Sequence, residues 1–250
     1  YARLLSMDVG GTTTDIGLVE KGAIKAQPHG EVEGIACAFP LCDIVSAGVG
    51  GGSIFRVREG GICVGPDSVG GAPGPACFGM GGRQATITDA LLLMGVLDSA
   101  TYFGGGMTLD AERARAAIEE NIALPLGIDI ETAVHDMFDA WARKIAACLR
   151  DYTQVTPDTV LGAFGGGGPL AALAVAGHLG IDTVLVPGLA AVFSAHGIGF
   201  SDIAHQAEEC LGDEANGGGL SVVLGRLRER VLRDMFSEGF EADECRLEVW

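Results

Sequence analysis

The chain of 250 residues carries a formal net charge of -17, is 48% hydrophobic and contains 40 glycines. Its length suffices to bury the core of one large domain or two small ones. The negative charge argues against nucleic-acid backbones and anionic membranes as partners, although backbone amides and a metal ion can still hold a nucleotide. The sequence contains no uncharged apolar run long enough to span a bilayer.

Seven cysteines are spread along the chain, at positions 37, 42, 63, 77, 148, 210 and 245. Because their number is odd and no CxxC pair occurs, we expect free thiols in a reducing cytoplasm. Cys37 and Cys42 together with Asp43 form a conceivable set of metal ligands, but small buried residues are the more common role for such cysteines. The pattern assigns no role to Cys77.

The first predicted element is a β-hairpin built around a double glycine. An apolar run leads to Asp8 and the turn Gly10-Gly11, the threonines Thr12–Thr14 follow, and Asp15 begins a second apolar run. This order is typical of a strand, a tight turn and a returning strand. A further short strand over Ala23–Gln27 would complete an antiparallel meander.

The chemistry of this hairpin suits a phosphate group. Gly10 and Gly11 have no side chains, so a ligand can approach their backbone closely. The amides and hydroxyls of Thr12 and Thr13 follow directly. The two aspartates would repel a bare phosphate but suit one accompanied by Mg²⁺. We therefore predict a metal–nucleotide phosphate loop, with an ordinary hairpin turn as the alternative.

Residues 28 to 90 are rich in Gly and Pro and almost lack helical periodicity, which predicts loops and short strands. A glycine triplet lies within Ala47–Ser53, shortly after Asp43 and just before the strand-like Ile54–Val57. Prolines and glycines recur through Val64–Gly79. Both loops can serve a ligand, and both can equally be tight structural turns.

A short helix is predicted over Ile87–Leu97, beginning near Thr88 or Asp89. The carboxylate of Asp89 can serve as a ligand to a metal or a substrate. It can also cap the helix, and this interpretation is favoured because aspartate is among the commonest cap residues.

The remainder of the chain is predicted to be mostly helical, with one strand–loop–helix–strand unit. Asp110 can cap the first of these helices, and a break follows at Leu124–Gly127. The predicted elements are helices at about Asp110–Ile122, Glu131–Tyr152, Leu170–Leu179 and Leu220–Phe236, and strands at Thr159–Phe164 and Thr183–Val186.

The loop of that unit consists of Gly165, Gly166, Gly167 and Gly168. Glycine-rich backbone at the carboxyl end of a strand is where open α/β sheets bind ligands. Four glycines leave room for a flat purine–ribose group, and the helix that follows favours an anion at its N-terminus. With the first hairpin and the loop at 47–53, this predicts a nucleotide site, the alternative being flexible or tightly packed turns.

Several segments, together with Gly81-Gly82, resemble in this order the hydantoinase A/oxoprolinase family, and the resemblance covers nearly the whole chain. The segments are Val64–Gly79, Thr86–Ala90, Gly104–Asp110, Ala163–Leu170 and Val192–Ala195. The family comprises ATP-dependent enzymes that open hydantoins or 5-oxoproline, and related subunits serve acetone and acetophenone carboxylases.

The resemblance implies an α/β fold, the ribonuclease H-like ATPase architecture of actin, sugar kinases and heat-shock chaperones. It divides the chain into an ATPase core over residues 1–215, with a glycine-rich irregular insertion at about 28–155, and a helix with the start of a truncated carboxyl-terminal part over 216–250. Asp8–Asp15 is similar to the second phosphate motif of that superfamily, and Gly165–Pro169 is similar to its adenosine motif. The first phosphate motif is expected in a segment that precedes this chain.

The function implied by the resemblance is phosphoryl transfer from ATP to an amide or carbonyl oxygen, which prepares a cyclic amide for hydrolysis. Asp8 would hold Mg²⁺ and Asp15 would assist, while Asp43 and Asp89 are the candidates for catalysis on the substrate side. A hydantoinase B-type subunit or domain would be the partner. Two alternatives stay open: the ATP-using subunit of an acetone- or acetophenone-type carboxylase acting on a ketone, and a non-catalytic fragment that serves as a scaffold.

The chain departs from the family pattern at two places. Val45-Ser46 stands where members usually carry His or Asn followed by Thr, and Ala171 stands where they usually carry His. Neither change removes the predicted phosphate loop. The substrate, whether a hydantoin, 5-oxoproline or a ketone, is therefore left unassigned by the sequence.

Overall fold

The computed structural model of the protein describes residues 1–27, 30–32, 34–36, 41–201, 203–210 and 219–249. The chain divides into two compact units, the first over residues 1–26 and 42–198, the second over 27–41 and 199–250. No helix in the described ranges is long and apolar enough to cross a membrane. The predicted boundary between residues 215 and 216 lies outside the described residues, as does Cys37.

One mixed sheet forms the centre of the first unit. The strands of the described residues are β1 (Arg3–Val9), β2 (Thr14–Glu20), β3 (Ala23–Ile24), β4 (Ala26–Gln27), β5 (Glu31–Val32), β6 (Ile35–Ala36), β7 (Leu41–Cys42), β8 (Val45–Ala47), β9 (Ser53–Arg58), β10 (Gly61–Ser68), β11 (Thr159–Phe164) and β12 (Val184–Leu185). The central sheet has the order β12–β11–β1–β2–β3, and β8 also pairs with β2. β1 runs antiparallel to β2 and parallel to β11. The predicted hairpin and the predicted strand–helix–strand unit are therefore joined side by side.

Helices supply most of the buried partners of this sheet. The helices are α1 (Ile87–Leu93), α2 (Ala111–Ile118), α3 (Leu124–Leu126), α4 (Ile130–Tyr152), α5 (Gly168–Leu179) and α6 (Phe193–Ile198), with α7 (Gly219–Ser237) in the second unit. A π-helical turn over Glu119–Ala123 joins α2 to α3. The long helix α4 begins at the cap Asp129, whose side chain accepts a hydrogen bond from the amide of Thr132 at 2.7 Å.

Alternation along β1 and β2 decides which face of the sheet is the core. In both strands, buried side chains alternate with half-buried ones, as expected for a sheet with one face on a core. The buried set includes Leu5, Met7, Val9, Ile16 and Leu18. It belongs to one cluster with Met137, Trp141 and Ile145 of α4. Asp8 and Asp15 therefore lie on the opposite face of the sheet.

The hairpin and the strand–helix–strand unit are confirmed, but the third strand of the meander is shorter than predicted. It is split into β3 and β4 at Lys25. The amide of Lys25 still donates to the carbonyl of Leu18 in β2 at 2.9 Å, whereas its carbonyl accepts from the amide of Asp43 at 2.9 Å, so the chain changes its bonding partner at this residue.

The helix predicted over Ile87–Leu97 is confirmed, but it is shorter at its C-terminal end. It begins at Ile87, before Thr88 and Asp89, because Thr86 is its cap and the side chain of Thr86 accepts from the amide of Asp89. It ends at Leu93, since Gly95 adopts a left-handed backbone with φ of +71°.

The predicted cap Asp110 is confirmed, because its side chain accepts hydrogen bonds from the amides of Glu112 and Arg113 at 3.0 and 3.1 Å. The helical backbone continues past the predicted end at Ile122 as far as Leu126. It ends at Gly127, whose φ of +66° is left-handed.

Candidate functional site

The carboxylates of Asp8 and Asp15 are direct neighbours across two strands. Asp8 of β1 lies opposite Asp15 of β2 in the antiparallel ladder. Side chains at opposed positions share one face, with Cβ atoms about 4.5–5.5 Å apart. Both residues are half-buried. Two carboxylates so close repel each other, and a divalent cation is the usual means of relieving that repulsion.

Each aspartate receives a hydrogen bond from a serine outside the hairpin. Ser46 of β8 lies opposite Asp15 in the register between β8 and β2. Its hydroxyl donates to Oδ1 of Asp15. On the other side, the hydroxyl of Ser194 in α6 donates to Oδ2 of Asp8. No described residue donates a hydrogen bond to the remaining oxygen of either aspartate.

The turn between β1 and β2 presents free backbone amides. It is closed by a hydrogen bond of 2.9 Å from the amide of Gly10 to the carbonyl of Thr13. In the described part of the chain, the amides of Gly11, Thr12 and Thr13 donate to no other group. Gly11 and Thr12 are exposed, and Thr13 is half-buried. Consecutive unpaired amides of this kind form an anion-binding concavity.

The glycine loop at 50–52 packs directly against this turn. The amides of Gly51 and Gly52 donate to the carbonyls of Gly10 and Gly11 at 2.9 and 2.6 Å. A Cβ atom at Gly50 would lie 2.7 Å from the carbonyl oxygen of Gly10 and 2.8 Å from the nitrogen of Thr12. Only glycine allows so close an approach, so this loop fixes the position of the turn.

The loop at 50–52 is itself held from the side of helix α1. The hydroxyl of Thr88, at the start of α1, donates to the carbonyl of Gly51 at 2.8 Å. The hydroxyl of Ser53 accepts from the amide of Gly50 at 2.8 Å. The turn between β1 and β2 is thereby connected through this glycine loop to the N-terminal end of the buried helix α1.

The loop at 165–168 reaches the same turn from β11. Gly165 has a φ of +79°, and a Cβ atom on it would lie 2.2 Å from Oδ1 of Asp8 and 2.6 Å from the carbonyl oxygen of Val9. The amide of Gly167 donates to that carbonyl at 2.9 Å. A recess of about 260 Å³ lies beside the loop, lined by Asp8, Gly165 and residues 190–195. All three glycine loops therefore meet around Asp8 and the turn that follows it.

The carboxylate of Asp89 is buried and has three hydrogen-bond donors. Its oxygens accept from the amide of Cys77 at 2.8 Å, and from the amide and hydroxyl of Thr86 at 3.0 and 2.7 Å. Burial raises the pKa of Asp89 from its ordinary value, and these hydrogen bonds lower it in part. The prediction that Asp89 caps the helix is corrected in one respect, because Thr86 is the cap and Asp89 is the third residue of α1. The two residues form a capping box, in which the carboxylate of Asp89 accepts from the amide of Thr86. The direct role of Asp89 in catalysis stays a prediction.

Asp43 lies in a second cluster. Its Oδ2 is 2.6 Å from Nζ of Lys25, and the ammonium group lies 5.1 Å from the ring centre of Tyr152. The hydroxyl of Tyr152 donates to the carbonyl of Asp43 at 2.7 Å. The hydrogen bond with Asp43 raises the pKa of Lys25. These residues line a cavity of about 440 Å³ together with Val45, Ala47, Cys148 and Asp151.

The two clusters lie on different sides of β8. Val45 and Ala47 line the cavity, whereas Ser46 between them contacts Asp15. Since alternate side chains of a strand point to opposite faces, Asp43 and its cavity are separated from the two aspartates of the hairpin. The structure therefore brings Asp8, Asp15 and the three glycine loops together, but not Asp43.

The cysteines form no disulfide among the described residues. Cys42, Cys63, Cys77, Cys148, Cys210 and Cys245 are all free thiols, as predicted. Within the described ranges no group of three or more His, Cys, Asp or Glu residues has the arrangement of a metal site. A magnesium ion bound through one or two carboxylates and phosphate oxygens does not require such a group.

Sequence reasoning missed Ser46 and Ser194 as contacts of the aspartates. Both stand in segments that the sequence singled out, the departure at 45–46 and the motif at 192–195. Their contacts depend on the register of β8 and on the position of α6. One sequence signal points to these two serines: each supplies a hydroxyl group in a segment that the sequence had already singled out.

The fold and the site define a mixed α/β protein whose glycine loops converge on a pair of carboxylates. The family model described as Hydantoinase/oxoprolinase matches residues 1–207. The chain belongs to this family, as its sequence motifs predicted.

Three relatives illustrate the similarity. The chain is 34% identical to the acetophenone carboxylase gamma subunit of Aromatoleum aromaticum, over 98% of this chain and 36% of that protein. A nucleotide-free structure of acetone carboxylase, from a study of ATP-dependent acetone carboxylation, superposes with a TM-score of 0.78 at 28% identity, over 97% of this chain and 37% of that one. The ATP-dependent caprolactamase of Pseudomonas jessenii superposes with a TM-score of 0.76 at 31% identity, over 96% and 36%. The chain thus spans little more than a third of these relatives, and both structures share its mixed α/β fold.

Proposed function

We propose that this chain is one nucleotide-binding lobe, of the ribonuclease H-like type, in an ATP-dependent enzyme. The observation that carries the proposal is the convergence of three glycine loops on Asp8, Asp15 and the free amides of the turn. The lobe would correspond to residues 1–215, with an insertion at about 28–155. The two solved relatives, acetone carboxylase and caprolactamase, are described as ATP-dependent, which supports the same assignment.

The donor set at the hairpin fits a magnesium nucleotide. Hard carboxylate oxygens on Asp8 and Asp15 are the ligand type that Mg²⁺ prefers, and unpaired amides at 11–13 suit phosphate oxygens. The open backbone at Gly166 and the first turn of α5 offer a surface for adenosine. When bound, MgATP would supply the phosphoryl group. The residues of this chain would hold the phosphates in position and balance their charge, which is most of what phosphoryl transfer requires.

The reaction that we propose is hydrolysis of a cyclic amide, activated by phosphorylation of its carbonyl oxygen. The substrate class is that of hydantoin, 5-oxoproline or a lactam, and family membership together with the caprolactamase similarity supports it. A partner subunit or domain of the hydantoinase B type would complete the enzyme. We keep Asp43 as a candidate on the substrate side, since it lines a cavity. The carboxylate of Asp89 already accepts three hydrogen bonds, so it suits a positioning role.

A second candidate function is the ATP-using subunit of a ketone carboxylase. The similarity to the acetophenone carboxylase gamma subunit, at 34% identity, favours it. In that case the carbonyl oxygen of a ketone would receive the phosphoryl group, and the same phosphate site would serve.

The test uses the full-length protein with its partner subunit. ADP release is measured with hydantoin, 5-oxoproline, caprolactam, and acetone or acetophenone with bicarbonate. Stimulation by a cyclic amide supports the first function, and stimulation by a ketone with bicarbonate supports the second. If none stimulates and calorimetry detects no MgATP binding, the chain is a non-catalytic scaffold and both proposals are wrong.

The phosphate site is tested separately by Asp8→Ala. Removal of the carboxylate is expected to abolish the Mg²⁺ dependence of ATP binding measured by calorimetry. The matched control is Asp182→Ala, which removes an exposed aspartate beyond α5. Unchanged affinity and unchanged metal dependence in the Asp8 variant would show that the phosphate site lies elsewhere.

A further inference from the structure

The carboxylates of Asp8 and Asp15 repel each other, because the two residues lie opposite each other in the hairpin. Like charges directly opposite each other in an antiparallel pair destabilise it. Asp8 and Asp15 occupy such a pair on the half-buried face of the sheet, and no described Lys or Arg forms an ion pair with either. The only described donors to their carboxylates are two serine hydroxyls.

The serines flank the pair from opposite sides. Ser46 lies on β8, next to β2 and away from β1. Ser194 lies on α6, whose preceding turn is joined to β11 by a hydrogen bond of 2.8 Å from the amide of Gly165 to the carbonyl of Ala190. Hydroxyl donors on the outer sides therefore hold the carboxylates of Asp15 and Asp8, one on each side.

A ring contact secures the segment that carries Ser194. Phe193 packs edge-to-face on Phe164, with ring centres 5.2 Å apart. Phe164 is the partner of Asp8 in the register between β11 and β1. In a parallel pair, such residues point to the same face, so the Phe164 ring fixes α6 beside Asp8.

We propose that Ser46 and Ser194 are positioning residues for the cation of the phosphate site. Each hydroxyl occupies one oxygen of an aspartate and fixes its rotamer, so that Oδ1 of Asp8 and Oδ2 of Asp15 stay free to bind Mg²⁺. The inference rests on the proposed nucleotide site. It also explains why Ser46 is compatible with the site although family members usually carry Thr at this position. Both residues supply a hydroxyl group that can donate to Asp15.

The expected loss of Mg²⁺ affinity can be taken from other metal sites. Loss of a group that orients a metal ligand commonly costs about 10- to 100-fold in metal affinity. We expect Ser46→Ala and Ser194→Ala each to weaken Mg²⁺-dependent nucleotide binding by about 10-fold, with the double variant weaker still. Metal-free binding of the nucleotide should change by less than about 2-fold, because the amides of the turn are untouched.

The experiment measures ADP affinity by calorimetry with Mg²⁺ and with a chelator, and Mn²⁺ binding in the presence of ADP by electron paramagnetic resonance. The full-length protein and its variants are compared, with Ser46→Thr as the rescue that restores a hydroxyl. Ser99→Ala, which removes an exposed hydroxyl far along the chain, is the control.

The expected result is a selective loss of the metal-dependent part of the affinity in Ser46→Ala and Ser194→Ala, with recovery in Ser46→Thr. If wild-type protein binds MgADP and both alanine variants keep its metal dependence, the positioning role is wrong while the nucleotide site stands. If wild-type protein binds no nucleotide, the proposed function itself fails. Equal losses with and without metal would assign the serines to local stability alone.

Discussion

The tightest contact of the proposed phosphate loop offers a direct test of its architecture. Gly50→Ala adds one methyl group to the loop that braces the turn. The added carbon would lie 2.7 Å from the carbonyl oxygen of Gly10 and 2.8 Å from the nitrogen of Thr12, whereas ordinary contact begins at 3.4 Å. All the nearest atoms belong to the backbone, so no side chain can rotate away.

The expected effect of Gly50→Ala on stability and binding follows from the lack of space for its methyl group. The turn and the loop must separate by about 0.7 Å, the difference between 3.4 and 2.7 Å, and overpacking of this kind costs about 1–3 kcal/mol of unfolding free energy. Binding sites function within about 0.5 Å of their productive geometry. We therefore expect MgATP affinity to fall by about 10-fold, which corresponds to about 1.4 kcal/mol.

The assay is calorimetric titration with MgATP and urea unfolding of the full-length protein. Gly51→Ala is the matched control, because its nearest contact, the hydroxyl of Thr88 at 3.4 Å, is an ordinary one. Equal affinities in the two variants and the wild type would refute the idea that the loop at 50–52 holds the phosphate turn in place.

Two further predictions concern the remaining carboxylates. Asp89→Asn places an amide NH₂ against the donor on Cys77 or against those on Thr86, which bond different oxygens of Asp89, so urea unfolding should show a loss of about 1–3 kcal/mol. Because burial raises the folded-state pKa of Asp89 above its ordinary value of 3.8, its contribution is largest below that pH and declines as the carboxyl ionises. The stability advantage of the wild type over Asp89→Asn should therefore shrink as the pH rises above about 4, and an advantage that grows with pH would contradict this reasoning. Asp43→Ala should leave MgADP affinity unchanged, since β8 separates the two clusters, but it should lower substrate-stimulated ADP release if the cavity receives substrate. Weakened MgADP binding in that variant would show that Asp43 acts on the phosphate site.

The features that the sequence predicted well are those set by local rules. Alternation of apolar residues and a double glycine specify the hairpin that carries Asp8 and Asp15, because both signals act within a few residues. The strand–helix unit around 165–168 was predictable for the same reason. The cap at Asp110 was also predictable, because an aspartate directly before a helical pattern is a sufficient signal.

The features that it could not predict depend on contacts distant in the chain. Ser194 reaches Asp8 across 186 positions, and Ser46 reaches Asp15 across 31. The contacts of Asp89 could not be fully predicted for the same reason. One of its three hydrogen-bond donors, the amide of Cys77, comes from a separate loop. From the sequence, Asp43 is a candidate on the substrate side, but the sequence does not show which residues surround it. In the fold it lies against Lys25 and Tyr152, which are distant from it in the chain.

Gly165 and Gly166 differ in how far each position of the proposed nucleotide site can accept a side chain. Position 165 admits no other amino acid on two independent grounds, a left-handed φ and a Cβ position filled by Asp8 and the Val9 backbone. Its neighbour Gly166 meets nothing within 4 Å and is exposed. Within the proposed nucleotide site, an added side chain is therefore expected to be tolerated at 166 but not at 165, without disturbing the carboxylate pair.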